Sequence, residues 1–471
     1  MTCGVGSKIR TLIGNGVRDK ICRHRKDASS EKKLIMERHF VINMSLISLA
    51  TFLAGLSLSL LSPFYPTEAL TKGVTVSETG IVISSVFVTT ILVTPVCGKY
   101  IQSLGARRFL IIGALIVGLG NASFGSLQTV SHHIPFLTLS VLIRVLTAVG
   151  ESCVAPASYT LAGQQVSKEH SGKVVAVVET FFGFGTAMGP PVGGVLYDIG
   201  GFFLPFAVTG MMSVMVALAS CCFLKEIRAE EREEEESRAV NITWWQIIST
   251  PGMLVCVAGM LVAGSGWSWV LASLEPFLKQ RYGISASQTG LVFMAFGASY
   301  SLFSPMVGFL TDKGLNGLHA IILGNFLLFL GFLFIGPVPP LRSLASLELT
   351  TISLGVQGLG SAFTYIGSLV FMMRAALGAG LPDKEQTRAM VSGLWVISDC
   401  TGGYLGTQLG SLAFDTWGME TGTMMEGGVI LASVVLVSLY TLLVTRRRDE
   451  GEEEARLRHS GHQVCDYQSI K

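Results

Sequence analysis

Apolar runs recur along this chain, each about 20 residues or longer, the length a helix needs to cross a bilayer's hydrocarbon core. Short polar, glycine-rich or charged breaks close each run, so every run predicts a membrane-spanning helix that satisfies its own backbone polar groups. Twelve runs begin near Phe40, Ser77, Phe109, Phe136, Val174 and Phe202, and then near Pro251, Gln288, Leu318, Leu349, Ala389 and Met425. Between the sixth and seventh lies KEIRAEEREEEESRAVNITWW, the only long internal charged stretch, which reads as a linker. The pattern predicts an all-α membrane protein with a tail at 1–39, a six-helix bundle at 40–224, a linker at 225–247, a second bundle at 248–445 and a tail at 446–471.

The two bundles repeat one another. SETG at 77–80 returns as SQTG at 287–290, and TPVCG at 94–98 returns as SPMVG at 304–308, both at an offset of 210. Gly189, Gly193 and Asp198 return as Gly406, Gly410 and Asp415 at an offset of 217. Ordered matches in corresponding spans point to duplication, with two pseudo-symmetric halves.

Composition agrees with the pattern: half of the residues are hydrophobic and 14% are charged. The opening 39 residues are polar and basic, with no compact apolar core of a cleavable signal. Lys and Arg number 10 in the first tail, 12 in the loops on the same side and 6 in the last tail, against 4 in the opposite loops. The positive-inside rule then puts both tails and the linker in the cytosol. A net charge of +2 is accounted for by this asymmetry and implies no nucleic-acid partner. The nine cysteines are scattered and suggest no disulfide and no metal site. Cys221 and Cys222, at the inner end of the sixth span, read as buried apolar cysteines or, alternatively, as lipid attachment points. The glycosylation motifs at Asn121 and Asn241 fall in a span and in the linker, where no sugar is expected. No phosphate-cradling loop, metal cluster or nucleophile motif argues for an enzyme, and no cofactor is expected.

Parallel six-helix halves, joined by a cytosolic linker, resemble the major facilitator superfamily of transporters, and several motifs carry the resemblance. GKYIQSLGARR, after the second span, is similar to the superfamily's inner-loop signature through Gly98, Gly105, Arg107 and Arg108, with Gln102 where an Asp is expected. VGFLTDKG supplies Gly308, Asp312 and Lys313 at the equivalent place in the second half. The resemblance implies that these loops latch the halves by charge-assisted bonds to helix ends. RVLTAVG resembles the fourth-helix signature, with Arg144 in the membrane and Glu151 seven residues on, along the same helical face. That arginine either fixes helix packing through an ion pair or positions a protonatable carboxylate. In the fifth span, Gly185, Gly189, Pro190, Gly193 and Gly194 match the signature of proton-coupled antiporters, in which small residues allow close helix approach and proline bends the helix. The implied role is a hinge.

Carboxylates in the bilayer are costly and therefore functional candidates: Glu151, Glu179, Glu275 and Asp399. A desolvated carboxyl binds a proton more tightly, and an arriving cation expels it, so one group can serve proton and amine in turn. ASLEPFL around Glu275 and VISDC around Asp399 resemble the vesicular amine transporters, which implies proton coupling and cation recognition at these residues. SPFYPTEALTKG and VVETFFGFGTAMGPPVGG look closest to the vesicular polyamine branch of that family. Charged positions of the monoamine carriers fall on Ala54, Val86 and Met372, so a substrate held by separated carboxylates, Glu179, Glu275 and Asp399, fits this chain better. Trp267, Trp269, Tyr365 and Trp395 could add cation–π attraction.

The expected function is proton-coupled antiport of an organic cation, a polyamine or another amine, across an organelle or vesicle membrane by alternating access. A plasma-membrane drug or cation exporter of the same fold, and a transporter-like receptor, are the other readings. DYQSIK at the end of the chain contains Tyr467 and Ile470 at the spacing of a sorting signal that a clathrin adaptor reads, which favours a vesicular or endolysosomal membrane over the plasma membrane.

Overall fold

The computed structural model describes residues 38–165, 171–224, 243–336, 345–382 and 385–468. The charged linker's 225–242 and the residues before 38 lie outside these. Ten helices among the described residues are long and apolar enough to cross a membrane. The longest, Gln386–Val444, is two spans, because Gly418 at φ 78° breaks it and a Cβ on Gly422 would stand 3.2 Å from Ala413. The remaining span is Ser171–Gly200, whose apolar character is diluted by glycine and proline.

The first half contains α1 (Arg38–Ser59), a short α2 (Tyr65–Thr71), α3 (Val76–Leu104), α4 (Ala106–Gly125), α5 (His133–Gln164), α6 (Ser171–Gly200) and α7 (Phe203–Phe223). The second contains a short α8 (Trp244–Ile248), α9 (Met253–Tyr282), α10 (Ala286–Asp312), α11 (Gly317–Ile335), α12 (Leu347–Gly378), α13 (385–417) and α14 (from 419). The all-α, twelve-span architecture read from the sequence is the one observed. The SETG and SQTG repeats open α3 and α10 in the same way. Thr75 and Ser285 accept the N–H of Glu78 and Gln288, whose side chains return to the cap backbone, satisfying two helix-end donors at each start.

The inner end of the molecule carries the α3–α4 and α10–α11 connections, and the outer end is opposite. Two seams join the halves, α6 against α10 and α3 against α13. Both are tight near the outer end: a Cβ on Gly194 would strike Ala286, one on Gly290 would strike Pro190, and one on Gly80 would strike Ser411. Gln408 of α13 also donates to Ser84 of α3 at 2.7 Å. Toward the inner end the same helices part, and a Cβ on Gly98 or Gly308 would meet nothing within 4 Å. The molecule is closed at its outer end and open at its inner end.

Inside each half the repeated glycines perform one job twice. Cβ atoms on Gly185, Gly189 and Gly193 of α6 would run into Phe52, Ser59 and Leu60 on or just beyond α1. Their counterparts on α13, Gly406 and Gly410, are packed the same way against Ser265 and Trp269 of α9. Gly194 differs by facing across the seam. The antiporter-signature glycines therefore build close contacts within the first half, and Pro190 presents its carbonyl to Gly290 of the second.

Overpacking at such a contact costs about 1–3 kcal/mol. Gly185→Ala should therefore lower the thermal midpoint of the purified protein by several degrees. Gly183→Ala, on the same helix with open space around it, should leave the midpoint unchanged. Equal midpoints for the two variants would contradict the seam.

Candidate functional site

Asp399 lies midway along α13, half-buried, and accepts a hydrogen bond of 2.7 Å from the Tyr365 hydroxyl of α12. Tyr365 packs edge-on against Trp395, 5.7 Å between ring centroids, and against Tyr300 of α10, at 6.0 Å. Trp395 is fixed by its ring N–H, which donates to the Ser368 hydroxyl at 3.0 Å. On the first half, exposed Glu179 of α6 accepts from the Tyr159 hydroxyl of α5. Tyr300 lies within electrostatic reach of both Glu179 and Asp399. One carboxylate from each half thus acts electrostatically on the same tyrosine, and neither forms an ion pair with a cationic side chain among the described residues. Of the aromatic candidates, Tyr365 and Trp395 belong to this cluster, Trp267 stacks on Phe296 at 3.8 Å, and Trp269 is a core residue 3% exposed. Tyr159 and Tyr300 were not singled out by the sequence.

Arg144 and Glu151 form a separate cluster. Arg144 is 3% exposed and donates to the carbonyls of Ser57 and Leu58 at 3.3 and 2.7 Å, capping the last turn of α1, with Glu151 at 3.8 Å. Carbonyls at a helix C-terminus have no partner within the helix and carry partial negative charge, so a guanidinium there meets three acceptors at once. This arrangement ties α1 to α5.

Glu275 lies apart from Asp399. It is 3% exposed and accepts both the backbone N–H of Thr67, at 3.1 Å, and the Thr67 hydroxyl, so that α9 of the second half holds α2 of the first. Two further carboxylates clasp the halves in the same manner at the outer end. Asp198, ending α6, accepts the N–H and hydroxyl of Ser287 at the start of α10, the N–H at 2.9 Å. Asp415, ending α13, accepts the N–H and hydroxyl of Ser77 at the start of α3, the N–H at 2.7 Å. A carboxylate at a helix N-terminus is favoured by the free N–H groups and the helix dipole. The repeated Asp198 and Asp415 thus each hold the repeated serine of the other half.

The inner-loop residues are not clasped in this way. Gly105, at φ 86°, makes the turn between α3 and α4. Arg107 donates to the Cys221 carbonyl of its own half at 2.6 Å, and Lys313 stands 4.5 Å over Phe309. Arg108 and Asp312 are exposed, as the open inner end requires. Cys221 and Cys222 are exposed, which corrects the reading of both as buried. One further acid emerges: Glu426 of α14, 3% exposed and bonded to Ser265 of α9. The tail residues Ile470 and the side chain of Tyr467 lie outside the described residues.

Comparison with known proteins gives a consistent picture. The profile of the Major Facilitator Superfamily matches residues 47–268 and, a second time, 256–464. The MFS-type transporter SLC18B1 of Rattus norvegicus is 26% identical over 88% of this chain and 89% of its own length. The vesicular acetylcholine transporter of Drosophila melanogaster is 23% identical over 42% of this chain and 33% of its own. Among solved structures, a bacterial homolog of the human lysosomal transporter Spinster, in an inward-facing and occupied conformation, superposes with a TM-score of 0.65, covering 86% of this chain and 96% of that one at 14% identity.

Removing one partner of a buried ion cluster costs about 3–5 kcal/mol. Arg144→Met should therefore depress the thermal midpoint steeply, whereas Asp399→Asn, at a half-buried site with a hydroxyl partner, should move it by no more than a few degrees. Similar losses in both would contradict the division into a buried ion cluster and a half-buried acid held by a hydroxyl alone.

Proposed function

The chain belongs to the major facilitator superfamily, and on that premise we propose that it exchanges protons for an organic cation with more than one amine, a polyamine, across the membrane of an acidic organelle. The observation that carries this reading is the pair of carboxylates, Glu179 and Asp399, one from each half, that lie within electrostatic reach of Tyr300 and have hydroxyl partners and, among the described residues, no counter-ion. A hydroxyl satisfies a lone pair and leaves the negative charge in place. Each carboxylate is therefore free to take a proton or an ammonium group, and the electron-rich faces of Tyr300, Tyr365 and Trp395 add attraction for a cation.

In the inner-open state a polyamine from the cytosol displaces protons and spans the two carboxylates. Bringing the inner ends together then requires the outer clasps, Asp198 with Ser287, Asp415 with Ser77 and Glu275 with Thr67, to let go. In an acidic lumen the carboxylates take protons again and the amine leaves. The affinity for cations consequently rises with pH, because the proton is the competitor. Glu275 acts in this cycle at the outer clasp, and Arg144 and Glu151 hold α1 in position. Gly98, Gly105, Arg107 and Arg108, with Gly308, Asp312 and Lys313, meet when the inner end closes. The relatives named SLC18B1 and vesicular acetylcholine transporter support a vesicular setting.

Uptake into proteoliposomes with an acidic interior tests the chemistry. Asp399→Asn should abolish accumulation driven by the pH gradient, since a group that cannot titrate cannot link two fluxes. Glu179→Gln should weaken binding of spermidine by about 10–100-fold, the worth of one charge-assisted hydrogen bond, and leave binding of a monoamine nearly unchanged. Full gradient-driven uptake by Asp399→Asn would remove the residue from the mechanism, and an equal loss for both cations would remove the polyamine reading.

The compartment has its own test. Tyr467→Ala should shift the protein from intracellular membranes to the cell surface in imaging of intact cells, because an adaptor could no longer read the tail. An unchanged distribution would show that sorting resides elsewhere.

A further inference from the structure

Glu426 takes no part in the site described above, yet its surroundings suit a group that changes protonation. It is 3% exposed on α14, where Phe329 and Phe332 of α11 lie within ordinary contact range of a Cβ placed on the neighbouring Gly427. Its hydrogen-bond partner is the hydroxyl of Ser265 on α9. No cationic side chain pairs with it among the described residues. An ionised carboxylate in such a place is costly, and a neutral one is tolerated only if its proton is also bonded.

Ser265 provides for both states. Its oxygen lies 3.1 Å from the Val262 carbonyl as well as beside Glu426 Oε1. A hydroxyl has one proton to give and lone pairs to receive with. When Glu426 is ionised, Ser265 donates to it. When Glu426 is protonated, Ser265 turns its proton to Val262 and accepts the acid's proton. No heavy atom has to move. Glu275 differs in that one of its two partners, the Thr67 N–H, can only donate.

Position ties Glu426 to Asp399. Asp399 Oδ1 lies 2.8 Å from where a Cβ on Gly264 would stand, and Gly264 directly precedes Ser265. The two acids, from α14 and α13, therefore bear on consecutive residues of α9. On α9 the group bonded to Glu426 is Ser265, and on α11 the rings of Phe329 and Phe332 lie beside the next residue of α14; none of these titrates, and the acid on the adjoining residue of α9 is Asp399 of α13.

We propose that Glu426 is a second proton-holding carboxyl of the transporter, exchanging its proton in step with Asp399 across residues 264–265 of α9. The proposal rests on the antiport reading and deepens it: each cycle then carries one proton more than Asp399 and Glu179 alone can supply.

The test uses the full-length protein in lipid. Infrared titration should show carboxylic-acid carbonyl absorption that grows as pH falls in the wild type and that loses one carboxyl's contribution in Glu426→Gln. In proteoliposomes, Glu426→Gln should bind spermidine within about twofold of wild type and move about one proton fewer per spermidine, since one titrating group is lost from the linkage. Glu426→Asp, which restores a carboxyl, should recover part of the difference. Should Glu426→Gln fold poorly, Ser265→Ala keeps the acid and removes its two-way partner, and should suppress that contribution. Absorption that titrates alike in wild type and Glu426→Gln, or in Ser265→Ala, would overturn the proposal. So would an unchanged proton-to-spermidine ratio in a wild type and variant that both show coupling. Absence of coupling in the wild type would instead overturn the antiport reading and this role with it.

Discussion

A carboxylate in a bilayer has to be given hydrogen-bond donors by the protein, and in this chain those donors are hydroxyl groups more often than cations. Tyr365 serves Asp399, Tyr159 serves Glu179, and Ser265 serves Glu426. Thr67, Ser287 and Ser77 each add a backbone N–H to the hydroxyl for Glu275, Asp198 and Asp415. Among the described residues arginine meets an acid at Arg144 and Glu151, inside the first half, and at Arg281 and Glu420, at the outer end of the second. In the proposed mechanism the choice of donor separates the roles. An ion pair cancels charge and fixes packing, a hydroxyl alone leaves charge available for exchange, and a hydroxyl with an N–H holds the ionised form at a helix end.

The same chemistry explains why the molecule rests closed at one end. The outer clasps are carboxylates of one half seated on helix starts of the other, reinforced where glycine lets backbones touch at Gly194 and Gly290. At the inner end, Arg107 bonds a carbonyl of its own half, and Gly98 and Gly308 face open space. In the proposed cycle, rocking between the two arrangements exchanges one set of interhalf contacts for another, and the tight α1–α6 and α9–α13 seams favour each half moving as a body.

Much of the fold was legible in the sequence, because the bilayer permits few solutions to an apolar run of that length. The repeats were legible too, and the structure gives them physical meaning as matched capping boxes and matched glycine seams. What the repeats could not tell is which residues meet. Asp198 and Asp415 are equivalent in the duplication, and only the folded chain shows that each seats on the other half's serine. The sequence does not mark Glu426, because the twelfth apolar run begins near Met425 and sets the acid at a boundary, whereas the chain reverses at Gly418 and α14 carries it into the bilayer. Tyr159 and Tyr300 escaped because an aromatic residue in a span usually packs, and nothing in a single sequence marks the few that face a carboxylate. The separation of Glu275 from Asp399 was within reach. Glu275 falls about 24 residues into the run that begins near Pro251, and Asp399 about ten into the equivalent odd-numbered run that begins near Ala389, a difference of about 20 Å at 1.5 Å per residue.

The account depends on carboxylates that trade a proton for a cation, and proton release on binding measures that trade without any transport. Calorimetric titration of the purified protein with spermidine, repeated near neutral pH in buffers of different ionisation enthalpy, reports the protons set free. The account predicts that binding releases protons, that release grows as the pH is lowered, and that it falls in Asp399→Asn. Tight binding with no proton release at any pH would contradict it.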